Sequence, residues 1–156
     1  MAVSLAFTSA GTKLYVSAGA PATYDQSGFE AVSWTEVGEI TDISEFGRVY
    51  SSVTHNPIGD RQTVKRKGSY DDGNITLQLA RVPADTGQVI LVAAVDSDDS
   101  HSFKVVLNDF ATTSATTMYF SAQVLSYTTN IGNVNKITTA ACAVNIDNSV
   151  VEVVAA

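Results

Sequence analysis

The chain has 156 residues, one cysteine, and 9 basic against 16 acidic side chains, for a formal net charge of -7. That length suits one domain able to bury roughly 70% of the surface its unfolded chain exposes, so stability needs neither a metal nor a disulfide. A lone cysteine excludes an internal disulfide, and an acidic chain is ill suited to gripping nucleic acid, where affinity comes from cations neutralising phosphates.

The first ten residues hold no basic side chain, and Ser4, Thr8 and Ser9 break their apolar positions, unlike a secretory signal. The densest apolar run, 89–95, falls far short of the roughly 20 residues that span a bilayer. These features predict folding in the cytoplasm of the producing cell, without membrane insertion.

Residues 12–17 alternate, with Leu14 and Val16 on one side, and predict a strand. Residues 18–29, with Gly19, Pro21, Asp25 and Gly28, read as a loop. Trp34, Val37, Ile40 and Ile43 follow at a spacing of three, which fits a short helical turn or an irregular strand, and Gly38 weighs against the helix. Residues 48–55 alternate as a strand. Asn56, Pro57, Ile58, Gly59 and Asp60 form a turn, and 63–69 make a second extended segment. The result is a long hairpin whose tip has Ile58 as its one large apolar side chain. Asp71-Asp72-Gly73 is another turn. In 74–81, Ile75, Leu77 and Leu79 face a core while Asn74, Thr76 and Gln78 face outward.

A helix is predicted over 84–95, with Pro83 and Asp85 suited to its start and Val89, Leu91, Val92 and Val95 directed at a sheet. Asp96, Asp98 and Asp99 stop it. Phe103, Val105 and Leu107 mark the next strand, and 108–115 a turn. In a long strand over 117–129, Met118, Phe120, Ala122 and Val124 lie on one face, opposite Thr117, Tyr119, Ser121 and Gln123. Gly132 and Asn133 turn the chain into a last long strand, 136–146, followed by a terminal extension, 148–154. Short strands with closely spaced turns predict a mainly β chain, a β-sandwich or barrel with one flanking helix and a long hairpin, built as a single domain over 1–156.

No arrangement of chemistry-bearing residues emerges. His55 and His101 are far apart and lack ligand spacing, and Cys142 lies among small apolar neighbours as a buried residue would. The Asp96–Asp98–Asp99 segment lacks the glycine and distal glutamate of a helix–loop–helix calcium loop. No catalytic residue, metal or cofactor is therefore expected. Arg61, Lys65, Arg66 and Lys67 are the one concentrated basic patch. It reads as a solvated loop, a nucleic-acid footprint without interleaved aromatics, or a contact with an acidic partner surface.

The order of these pieces is similar to that of a known family. A small leading strand is followed by Glu36-Val37-Gly38-Glu39-Ile40-Thr41-Asp42-Ile43, then by the charged hairpin of 48–69. Gly73-Asn74-Ile75-Thr76-Leu77-Gln78-Leu79 comes next, then a helix beginning Asp85-Thr86-Gly87-Gln88, then Ser102-Phe103-Lys104-Val105-Val106-Leu107 and the strand of 136–146. Over 12–146 this resembles the major tail tube proteins of long, non-contractile bacteriophage tails, whose fold and assembly the type VI secretion tube shares. The resemblance implies a structural virion protein, assembled in the host cytoplasm. Its hexameric rings would join their inner sheets into one barrel and stack, partly through the hairpin, into a tube that delivers DNA. Tape-measure, terminator and baseplate proteins would be its partners, and DNA would pass without specific binding. In that setting, Arg61, Lys65, Arg66, Lys67 and the turn 56–60 become an inter-ring contact, with Asp71, Asp72, Asp96, Asp98 and Asp99 as acidic partners. Asn74, Thr76, Gln78, Thr117, Ser121 and Gln123 become the lumen face. The chain stops soon after its last strand, as a minimal member would. A terminator, a baseplate hub ring or a secretion tube is the nearest alternative. A carbohydrate-binding sandwich would need aromatics gathered on one sheet face, whereas Trp34 and the tyrosines are spread over different segments.

Overall fold

A computed structural model describes residues 6–109 and 114–155. In chain order the elements are β1 (Lys13–Val16), α1 (Gln26–Glu30), β2 (Thr35–Val37), β3 (Ile40–Ile43), β4 (Val49–His55), β5 (Val64–Asp71) and β6 (Asn74–Ala80), then α2 (Thr86–Val95), β7 (His101–Val106), β8 (Thr117–Asn130), β9 (Thr139–Ile146) and β10 (Val151–Val153). The turn expected over 108–115 falls partly outside the described residues.

Among the described residues, ten strands make two sheets. One has eight strands in the order β2-β1-β7-β8-β9-β6-β3, with β10 also on β8; the other is the β4–β5 hairpin. Every pairing is antiparallel. β8 joins the two halves of the larger sheet. Its residues 117–122 pair with β7, its residues 122–130 with β9, and the register slips between Val124 and Ser126. The halves share one core. Leu14, Val16, Phe103 and Val105 from one side meet Ile75, Leu77, Leu79, Cys142 and Val144 from the other, each no more than 2% exposed. Phe103 and Phe120 stack at its centre, 5.4 Å apart. The mainly β, sandwich-like architecture is therefore as the sequence predicts, and the inward face of β6 is the one that alternation gives. On β8, Phe120, Ala122 and Val124 are buried as read, but Tyr119 and Ser121 on the opposite face are buried too.

Two segments differ from expectation, and a third, open between a helical turn and an irregular strand, is strand. The loop at 18–29 contains α1, because the Asp25 carboxylate accepts from the Gly28 N–H at 2.8 Å and caps a turn of helix. The spacing-of-three segment is two short strands, β2 and β3. Glu39, at φ 61°, turns the chain from one sheet edge to the other. The helix start lies at Asp85, whose side chain caps Gln88 N, so Pro83 precedes the helix rather than occupying its first turn. The α2 face differs most. Gly87, Gln88, Leu91 and Ala94 are buried, while Val89 and Val92 point outward at 52% and 39% exposure.

Packing explains the rotation of α2. The helix lies over the seam between the β2 and β3 edges, and a Cβ at Gly87 would collide with the Glu36 carbonyl. Gln88 fills the seam, 0% exposed. Its Nε2 donates to the carbonyls of Gly38 (3.2 Å) and Ala80 (3.0 Å), and its Oε1 accepts from Val82 N (2.9 Å) and the Tyr127 hydroxyl (3.1 Å). A buried amide with every bond made costs little, and this one ties together the β2–β3 link, the end of β6 and β8.

Candidate functional site

Two surfaces stand out. The first is the outer face of the half-sheet β8–β9–β6–β3. Antiparallel register places Asn74, Asn145 and Gln123 in one transverse row, then Thr76, Ala143 and Ser126, then Gln78, Ala141 and Thr128. None of these side chains is charged, and Asp42, beside Gln78 on β3, supplies a carboxylate only at the border. This half-sheet also has two open edges among the described residues. β3 has no strand beyond it, and β8 has none on its β7 side after Ala122. Open edges carry unpaired N–H and C=O groups that another chain can complete.

Of the six residues assigned to this face by sequence, Asn74, Thr76, Gln78 and Gln123 come together there. Thr117 and Ser121 do not. Both belong to the other half of β8, where Thr117 is half-buried between Val106 and Val153, and Ser121 is 0% exposed. Ser121 offers no atom to a channel in this subunit, and its Oγ has no hydrogen-bond partner among the described residues. Sequence reasoning missed Asn145, Ala143, Ala141, Ser126 and Thr128. The alternation of buried Ala140, Cys142, Val144 and Ile146 held the signal for the β9 members.

The second surface is the hairpin. β4 and β5 pair only with each other, and every β4 residue is exposed. One face carries Tyr50 and Tyr70, their rings 5.3 Å apart, with the Lys67 ammonium 4.8 Å over Tyr50. The other carries Val49 and Val53, 70% and 55% exposed, with Arg66 opposite Val53. Arg61, Lys65, Arg66 and Lys67 are exposed, with no carboxylate partner among the described residues. Around the tip, Asn56, Ile58, Gly59 and Asp60 are exposed and Pro57 is half-buried.

The hairpin base is fixed to the body. Arg48 Nε lies 3.6 Å from Asp72 Oδ1 and its guanidinium lies 4.2 Å over Tyr70, while the Tyr70 hydroxyl meets Ser149 Oγ at 3.2 Å. Asp72, one of the sequence-assigned acidic partners, is 5% exposed and accepts from Val150 N, so its carboxylate is already engaged within the subunit. Asp71, Asp96, Asp98 and Asp99 are exposed. The Asp98 carbonyl accepts from Gln123 Nε2, which sets this acidic segment beside the Asn74 row, at the hairpin's own end of the sheet.

The remaining chemistry-bearing groups stand apart. No group of three or more His, Cys, Asp or Glu among the described residues could hold a metal. His55 is exposed on β4, and His101 is buried with Nδ1 3.2 Å from the Asp99 carbonyl. Cys142 is 0% exposed, and burial pushes its thiol up to about 12, so it stays protonated at neutral pH. The fold does gather aromatics that the sequence scatters: Tyr15 and Trp34 flank the Lys104 ammonium at 4.4 and 5.1 Å, and Phe29 stacks on Tyr119. Phe29 and Tyr119 are buried and Lys104 caps the group, so it forms a second small core under α1 rather than an open stacking platform.

No family model matches this sequence, and no curated protein does. The fold does match solved structures. A chain of the anti-feeding prophage baseplate, determined with 6-fold symmetry, superposes with a TM-score of 0.70 at 11% identity, covering 97% of this chain and 98% of that one. A chain of the sheath/tube terminator of the PVC extracellular contractile injection system gives 0.70 at 17% identity over 97% and 99%. The SPP1 tail tube gives 0.64 at 12% identity over 90% of this chain and 75% of that chain. The chain thus has the tail-tube-like fold.

Proposed function

We propose that this protein is a structural subunit of a phage-type tail tube, assembling into hexameric rings that stack into a channel for DNA. The observation that carries the reading is the uncharged polar face of β6, β9 and the second half of β8, on a half-sheet open at both edges. Pairing β3 of one copy with the free side of β8 in the next would complete both edges and continue that face around a lumen. Such a wall has no cations to arrest a polyanion, and the net charge of -7 favours passage further. The hairpin, apolar and basic on an acidic body, serves as the contact between copies. Tape-measure, terminator and baseplate components fit as its partners in a virion tail.

The near end-to-end coverage of the baseplate and terminator chains favours a second reading, in which the subunit forms one ring that starts or ends a tube. Electron microscopy and sedimentation of the purified protein over a concentration series test both. Long tubes support the first reading and single rings the second. Particles that keep the mass of one subunit at every concentration would overturn both. Deleting residues 56–62 should abolish tube growth and leave the unfolding midpoint of the subunit unchanged.

A further inference from the structure

The two open edges of the half-sheet β8–β9–β6–β3 differ in what covers them on the core side. Through the ladder, Ile43 lies level with Leu77, Cys142 and Tyr127, and Ile40 lies level with Leu79, Ala140 and Thr129. Both isoleucines pack on the core, yet beside them the sandwich stays open. A cleft of about 400 Å³ runs along β3, with Ile43 and Phe46 on one wall and Val105, Leu107 and Met118 on the other. Asp42 and Glu45, both exposed, stand at its mouth. No residue of α2 lines this cleft.

At the other edge α2 is the cover. The Tyr127 hydroxyl bonds Gln88 Oε1 near the helix start, and Gln123 Nε2 bonds the Asp98 carbonyl just past its end. The helix therefore runs beside β8 from the level of Tyr127 to that of Gln123, where β8 has no strand on its β7 side. Val89, Val92 and Ala93 are exposed and share a groove with Arg81, whose guanidinium lies 4.9 Å over the Tyr127 ring. The outward side of α2 thus borders the open edge. It has no polar side chain from Val89 to Val95, and a helix apolar all round is normally covered on every side. Arg81 has no carboxylate within ion-pair reach among the described residues, and Asp96 closes the far end of the groove.

The edges are complementary. Both features lie on the core side of the half-sheet and over the same levels of its strands. One is an apolar hollow with carboxylates at its mouth, and the other an apolar ridge with a cation beside it. We propose that the outward side of α2 in one copy seats in the cleft beside β3 of the next. Val89 and Val92 enter between Phe46 and Leu107, and Arg81 meets Asp42 and Glu45. This rests on the edge-pairing reading above and names the side chains that fix it. A backbone ladder alone can slip by two residues and keep every side chain on its face. A ridge in a hollow fits at one register, so the contact sets the stagger between copies as well as adding buried apolar area.

Cross-linking between different copies tests the seating, because Cys142 is buried and its thiol, pushed up to about 12, stays out of the reaction. Protein assembled from equal amounts of V92C and T41C and treated with a short bismaleimide should give covalent dimers, and neither variant assembled alone should. Thr41 lines the cleft and is exposed. Rings or tubes of the mixture without dimers would overturn the seating and leave the assembly reading standing. Dimers from V92C alone would set helix against helix and overturn it too. Wild-type protein that never assembles would remove both. As a second measurement, V89S/V92S should raise the concentration needed for assembly by about tenfold or more, since each valine loses its burial on contact. Its unfolding midpoint as a single subunit should stay where it is in wild type. Assembly of V89S/V92S at the wild-type concentration would refute the seating.

Discussion

Gln88 is the residue whose loss should be felt most for its size. Replacing it with leucine keeps the volume close to native and removes four hydrogen bonds. The groups left behind are not equivalent. Val82 is 37% exposed and Tyr127 half-buried, so the Val82 N–H and the Tyr127 hydroxyl can turn to water. The carbonyls of Gly38 and Ala80, in half-buried residues, cannot turn as a side chain can, and leaving them without the Gln88 amide at about 1–3 kcal/mol each gives an upper figure of about 2–6 kcal/mol for Gln88→Leu. Against a total stability of about 5–15 kcal/mol this is a large fraction. With a urea slope of about 2 kcal/mol/M it lowers the unfolding midpoint by about 1–3 M. Tyr127→Phe removes only one donor and leaves Oε1 bonded to Val82 N, so it should cost about 0.5–1.5 kcal/mol. In the Gln88→Leu background the same change should cost almost nothing, since the bond is already gone. A Gln88→Leu protein within about 1 kcal/mol of wild type in urea titrations would refute the idea that this amide holds the seam closed.

Two further outcomes follow from the core. Leu77, 1% exposed, sits between Cys142 and the β3 residue Ile43, and Leu77→Ala should cost about 2–5 kcal/mol by calorimetry or urea titration. An unchanged melting temperature would mean the β6 register is wrong. For Cys142 the folded thiol titrates near 12 against 9.0 when unperturbed, so above pH 9 the unfolded chain loses the proton first. Stability should then fall as pH rises, by about 1.4 kcal/mol per unit, and Cys142→Ala should lack that part of the slope. Identical slopes for the two proteins between pH 9 and 11 would exclude the linkage.

The sequence was most legible where one rule acted alone. Ile75, Leu77 and Leu79 alternate with Asn74, Thr76 and Gln78 on a strand with one wet face, and both faces come out as read. The same rule applied to β8 led to error, because that strand serves two half-sheets. The strand changes partner at Ala122, from β7 to β9, so Gln123 joins the polar row while Ser121, two residues earlier, is sealed. Tyr119, on the face read as outward, is covered by Phe29 and Trp34, which arrive from a segment more than 80 residues away in sequence. The inward turn of Gln88 was hidden for a related reason. Its partners come from the β2–β3 link, β6 and β8, and helix periodicity ranks a glutamine as outward. The hairpin was legible as a hairpin, but the apolar β8–β9 turn was not. Ile131, Val134 and Ile137 are ordinary aliphatics in sequence, and only the exposed turn they occupy makes them conspicuous.

The hairpin and the β8–β9 turn pose the question why a folded subunit keeps such exposed apolar surfaces. A β-hairpin with no third strand is marginal in water, and aliphatic side chains at a turn tip gain nothing from the fold. Alone, each is a liability that a charge or a polar side chain would relieve. On the self-assembly reading such surfaces act only when copies meet, and exposed ion pairs beside them, worth about 0–1 kcal/mol each, set orientation more than strength. The subunit is thus stable through the core of its sheet and the Gln88 seam. The hairpin lies outside that core, so deleting residues 56–62 should leave the unfolding midpoint where it is in the full chain.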